Sequence, residues 1–161
     1  MTPKFPETRD QLTTPGIALR LAAVLYDTLI CLALLMMTTA IYMLIAGSLV
    51  GSEQYQEMNN TGQTTHDPLL SSILFIILFT FFAYFWTKNG QTLGMQAWHL
   101  RIQNHDNSRI SWMQALVRFM TAIPSIGLFF LGYIWSIFDK KNRTWQCITS
   151  ESEVVRIPKT K

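Results

Sequence analysis

The feature that most constrains this chain is the run from Leu21 to Val50, thirty residues in which Asp27 is the only Asp, Glu, Lys, Arg or His. As a helix at ~1.5 Å per residue such a run reaches about 45 Å, beyond the ~30 Å hydrocarbon thickness of a bilayer. It is expected to be a spanning helix with length to spare, taken up by tilt or protrusion. Asp27 would then lie about 10 Å deeper than Arg20, inside the apolar slab. A carboxylate there costs at least about 2.5 kcal/mol, so it should face protein or water and have a partner. Arg20 lies two turns earlier on the same face and can reach back to the head groups, so a direct pair within the helix is not expected. Two readings of Asp27 remain: a protonated or paired structural residue, or a group that couples to a transported ion.

The rest of the chain fits that class. Its 161 residues are 49% hydrophobic and only 14% charged, against roughly 25% charged in soluble domains. The net charge of +3 is gathered at particular ends, where it informs orientation and not nucleic-acid binding. Cys31 falls in the first helix and Cys147 in a basic C-terminal region, so no disulfide framework is expected. The polar lead and the long apolar run do not match a cleaved signal peptide.

Residues 1–15 read as a cytoplasmic tail with three prolines, and Thr14-Pro15 as a helix start with proline at the first helical position. A first helix is expected over about 16–50. Gly47 and Gly51 near its end form a GxxxG, for which simple termination is preferred over packing. The loop from Gly51 to Pro68 has no Lys or Arg and carries Glu53, Glu57, His66 and Asp67, which places it outside and the N-terminal tail inside. His66-Asp67 alone does not make a metal site. A second span follows over about 69–87. Tyr84 and Trp86, just before Lys88, mark its cytoplasmic interface.

Asn89-Gly-Gln-Thr-Leu-Gly94 reads as a tight turn, and it is not a phosphate loop because no Gly-Lys-Ser/Thr follows. Alternation on both sides of Asn104-His-Asp-Asn-Ser108 predicts a β-hairpin over about 97–112, pairing with a strand at 152–157. His99 and His105 on it do not suggest a metal. From Ser111, a plausible N-cap, apolar residues recur at three and four to Ile123, Pro124 interrupts, and a further apolar stretch runs from 126 to 138. As a full third span, this segment would put Lys140, Lys141, Arg143, Arg156, Lys159 and Lys161 outside and separate the two β segments. A re-entrant pair of short helices, covered by the two long spans, satisfies both constraints and is preferred. It also offers Asp27 a partner, Arg118, whose alternative role is contact with lipid phosphates.

Arg20 opening the first membrane helix, Asp27 two turns in, and Gly90-Gln-Thr92-Leu-Gly94 together resemble the RDD family of small bacterial membrane proteins. The family is named for one Arg and two Asp, and the resemblance runs from about Pro15 to Val155. It implies a helical membrane protein of poorly defined activity, with transport of unidentified ligands suggested and sodium/proton exchange claimed for some members. Two departures stand out. Met95 takes the place of a usual Lys after Gly94, and Cys147, beside Gln146, takes the place of the second defining Asp. Asp139 and Trp145 match the family, but Asp139 lies two turns too early to substitute.

The expectation is an all-α membrane protein with two long transmembrane helices. A short re-entrant or third transmembrane helical segment and a small cytoplasmic β-hairpin or sheet complete a single domain over 16–157, followed by a tail at 158–161. No catalytic residue, cofactor or metal site is expected, and the protein is not expected to be an enzyme. Arg20, Asp27, Arg118, Gly90, Thr92, Gly94 and Asp139 are the candidate functional or structural polar positions. The expected partners are the lipid bilayer, further copies or a membrane partner protein, and a small ion or ligand, with no nucleic acid. The expected place is the inner membrane with both termini cytoplasmic. The leading function is of transport or ion-coupling type; the alternative is a non-catalytic subunit or scaffold of a membrane complex.

Overall fold

The computed structural model describes residues 4–62, 67–128, 131–139 and 142–158. His66, Lys140, Lys141, Lys159 and Lys161, used in the orientation and metal arguments, lie outside the described residues. In chain order the elements are α1 (Ile17–Val50), α2 (Ser52–Asn60), α3 (Pro68–Lys88), α4 (Leu93–Ala97), β1 (Leu100–Asn104), α5 (Trp112–Gly127), α6 (Leu131–Phe138), α7 (Trp145–Thr149) and β2 (Ser152–Arg156). A 3-10 turn at Arg9–Gln11 precedes them. α1 and α3 are long and apolar enough to cross a membrane, as expected. The first helix begins at Ile17, two residues after Pro15, and stops where Gly51 takes φ +98°. Gly51 therefore has the terminating role.

The chain forms two compact units, one of residues 28–78 and one comprising the remainder. In the unit of residues 28–78, the Tyr42 hydroxyl donates to Asp67, whose other oxygen accepts from Leu69 N at 2.9 Å and so caps α3. Met36, Leu44 and Leu49 are more than 70% exposed, as residues facing lipid would be.

The other unit holds the sheet. β1 and β2 are antiparallel, with Leu100 opposite Arg156 and Ile102 opposite Val154. Leu100, Ile102, Val154 and Val155 are buried in its core. The pairing of 152–157 with the segment around Ile102 is thus as expected, but the hairpin's second arm is not a strand. Asn104 N donates to Ser108 O at 2.9 Å, and Ser108 pairs only in an isolated bridge with Lys4. The chain then turns directly into α5, because Ser111 and Gln114 form a reciprocal capping box. The Gln114 amide also donates to Asn104 Oδ1 at 2.8 Å and Ser150 O at 3.1 Å, fixing the start of α5 to the sheet end.

Pro124 lies inside α5 and does not end it; the helix runs on to Gly127. The lost N–H and ring crowding are tolerated where packing holds the helix. Phe119 is seated on the Phe79 and Phe82 rings at 5.6 and 6.0 Å. α5 and α6 are bent by 95° at their break, the geometry of a broken span or a re-entrant pair. They approach closely at Gly132, where a Cβ would strike the Ser125 hydroxyl.

The N-terminal segment is not a free tail. Phe5 N donates to Asn107 O at 3.0 Å, Asn107 Nδ2 donates to the Phe5 and Glu7 carbonyls, and Thr13 forms a bridge with Arg156. Arg101, only 4% exposed, donates to Glu7 at 2.6 Å and stacks over the Phe5 ring at 4.0 Å. Partial burial pushes the Glu7 carboxyl up, yet the Arg101 hydrogen bond and charge hold it below its ordinary value.

Candidate functional site

The Asn89–Gly94 turn is where the sequence builds its most constrained geometry. Gly90 adopts φ +68°, and a Cβ there would come within 2.6 Å of the Ile102 carbonyl and 2.9 Å of Phe5. Its own carbonyl accepts from Ile102 N at 2.6 Å, so the turn is bound to β1. Thr92 is the N-cap of α4, accepting from Met95 N at 3.2 Å. Its hydroxyl proton is therefore free to point elsewhere, and it donates to Asp27 Oδ2. Gly94 N donates to Asp27 Oδ1 at 2.8 Å. Thr92 and Asp27 are 1% and 7% exposed. A carboxylate on the spanning helix thus has both oxygens held by neutral donors of one short turn. That contact requires glycine at 94, because a Cβ would overlap the Ala23 carbonyl and stand 2.9 Å from the Asp27 carboxyl.

The expected Asp27–Arg118 pair is not formed. Arg118, 7% exposed, donates instead to Ser152 Oγ at 2.9 Å and to Cys147 Sγ at 3.5 Å, with its guanidinium 5.6 Å from the Trp86 ring centre. Among the described residues the ion pairs are Arg9–Glu153, Arg101–Glu7, His105–Glu153 and Arg143–Asp139, none of which involves Asp27, Arg20 or Arg118. The reason is geometric. Neutral backbone and hydroxyl donors already satisfy both Asp27 oxygens, which removes the need for a cation.

Arg20 and Arg118, both buried, lie within electrostatic reach of each other. Arg20 is 5% exposed, and its Nε and Nη1 make no hydrogen bond among the described residues. It feels the charge of Arg118 and lies within electrostatic reach of Cys147 and Tyr133. Burial pushes the Cys147 thiol up. The Arg118 charge, hydrogen bonds from Thr144 and Arg118, and the Arg20 charge outweigh this and hold it below its ordinary value. Asp139 stands apart: at the end of α6 it accepts from the Arg143 backbone and guanidinium, at 2.9 to 3.2 Å. Cys147 and Ser152 as Arg118 partners, and Glu7 and Phe5 as Arg101 partners, were not legible from residue type. For Thr92 a signal existed, since an N-cap threonine keeps a spare proton.

A profile of the RDD family matches residues 14–149. The chain belongs to the RDD family. No curated protein and no solved structure matches it. With membership settled, Arg20 and Asp27 are the first two residues of the RDD signature as the resemblance reads it. They serve separate clusters: Asp27 receives the Gly90–Gly94 turn, and Arg20 joins Arg118 beside Cys147, where the resemblance puts the family's second acid.

Proposed function

We propose that this RDD protein is of transport or ion-coupling type, with Asp27 as its coupling group. The observation that carries the reading is a buried carboxylate on a spanning helix compensated, among the described residues, by two neutral donors and no cation. Without a fixed cation, such a group changes its charge by taking up a proton or a metal cation, which is what coupling requires. The same reading places the protein in a bacterial inner membrane as an oligomer, since two long spans and a bent pair enclose little pathway alone. It assigns no catalytic step. The alternative, a scaffold subunit, makes no use of an exchangeable charge at Asp27.

In proteoliposomes, wild-type protein should respond to a sodium, potassium or proton gradient, and Asp27→Asn should abolish that flux while remaining folded and inserted. Wild-type vesicles that respond to none of the three would sink the ion-coupling reading. A scaffold would show instead as a lower yield of a partner complex in the same variant.

Orientation follows from the Lys and Arg distribution, with both termini cytoplasmic. Reporter fusions after Gly62 should therefore report outside, and those after Asn104 and Lys161 inside. An outside signal at Lys161 alone would make the bent pair of α5 and α6 a complete third span.

A further inference from the structure

Two buried guanidiniums lie within electrostatic reach of each other, and among the described residues neither forms an ion pair with a carboxylate. The remaining acids of this unit are engaged or exposed. Glu7 serves Arg101, Asp27 serves Thr92 and Gly94, Asp139 serves Arg143, and Glu153 serves Arg9 and His105. Asp106 accepts from Ser108, and Asp10 and Glu151 are exposed. Even an ionised Cys147 would supply one negative charge against two positive ones. Buried charges persist when paired, and two like charges close together in a medium of low dielectric raise the need for a counter-charge.

We propose that Arg20 and Arg118 hold a small monovalent anion, a halide or a carboxylate of formate size, in the core of this unit. Several donors suit such a guest. Arg20 Nε and Nη1 have no protein partner among the described residues, and a guanidinium edge is shaped to grip a carboxylate with two parallel bonds. Arg118 Nη1 is committed to one neutral hydroxyl and one sulfur, and not to an acid. Gln146, beside Cys147 and 2% exposed, has an amide whose nitrogen and oxygen both lack a partner among the described residues, so the nitrogen is open to a guest. Burial of both arginines below a tenth of their surface selects for small size.

The test uses full-length protein in neutral detergent, exchanged into gluconate, whose bulk excludes it from such a site. Titration with chloride, bromide and formate should raise the unfolding midpoint by about 5–10 °C at a hundredfold excess over Kd. Phosphatidylglycerol added in gluconate should not. Cys147→Asp places a fixed carboxylate beside Arg118, so it should be more stable in gluconate and lose the anion response. Cys147→Ser, which cannot ionise, should keep the response and covers the case in which the aspartate variant fails to fold. The proposal is overturned by a midpoint indifferent to small anions. It is equally overturned if phosphatidylglycerol alone reproduces the shift, or if the response arises only in Cys147→Ser, since the wild-type thiolate would then be the counter-charge.

Discussion

Gly94→Ala is expected to cost about 3 kcal/mol or more, the upper end for an added methyl in a closed core. The new Cβ would overlap the Ala23 carbonyl and sit 2.9 Å from both Cγ and Oδ1 of Asp27. The Ala23 carbonyl is backbone, and the Asp27 carboxyl is held in place by Thr92 and by Gly94 itself. α4 would have to lift from α1, and the Gly94 N–H bond of 2.8 Å would go with it. A buried carboxylate would then lose half of its compensation, a further loss of about 1.5–3 kcal/mol. Gly16→Ala and Gly127→Ala are the controls, because nothing lies within 4 Å of a Cβ at either place. Unfolding in detergent should separate the three: the controls near wild type, Gly94→Ala poorly expressed or unfolded. A Gly94→Ala protein as stable as Gly16→Ala would show that the turn does not press on the spanning helix.

Thr92→Val should be nearly as damaging, for a chemical reason and not a steric one. The hydroxyl works twice, donating to Asp27 and accepting from Met95 N. Valine keeps the shape and removes both. Loss of a buried hydrogen bond to a charged group costs about 1.5–3 kcal/mol and loss of an N-cap about 1 kcal/mol. A total of about 3 kcal/mol is therefore expected by denaturant or thermal unfolding. Thr92→Ser retains the hydroxyl and should recover most of it. Combining Thr92→Val with Asp27→Asn should cost less than the sum, since the carboxylate that needed the donor is gone. Additive losses would mean that the two side chains do not depend on each other.

These two residues also mark the limit of what the chain's letters disclose. The spans α1 and α3 were legible because a long apolar run with one charge, Asp27, and another with none admit few other structures in water or lipid. The sheet was legible because alternation at 98–103 and 152–157 needed one common face. α4 and α7 have five residues each, too short for periodicity to register. The hairpin arm at 109–112 failed because its alternation competed with the stronger capping signal of Ser111 and Gln114. Pairing Asp27 with Arg118 followed from charge, the one property a letter displays openly. The actual donors were a threonine proton and a glycine N–H, and close approach of backbone to carboxylate depends on a missing side chain. In the sequence Gly90 and Gly94 read as turn formers; in the structure the close approach each permits matters as well as backbone freedom.

The strap of residues 4–13 across the sheet has a consequence for biosynthesis. Thr13 pairs with Arg156, and Asp27 is bound by residues 65 and 67 positions downstream. At 5–20 residues per second the ribosome needs about 7–30 s to travel from one end of the strap's contact to the other. α1 must therefore enter the bilayer while its carboxylate still lacks Thr92 and Gly94, and the emerging N-terminus must wait for the last strand. For the about 3–13 s that synthesis of those 65 and 67 residues takes, Asp27 is a membrane-embedded acid without its donors. The first helix is thus complete in sequence well before the turn that satisfies its one acid.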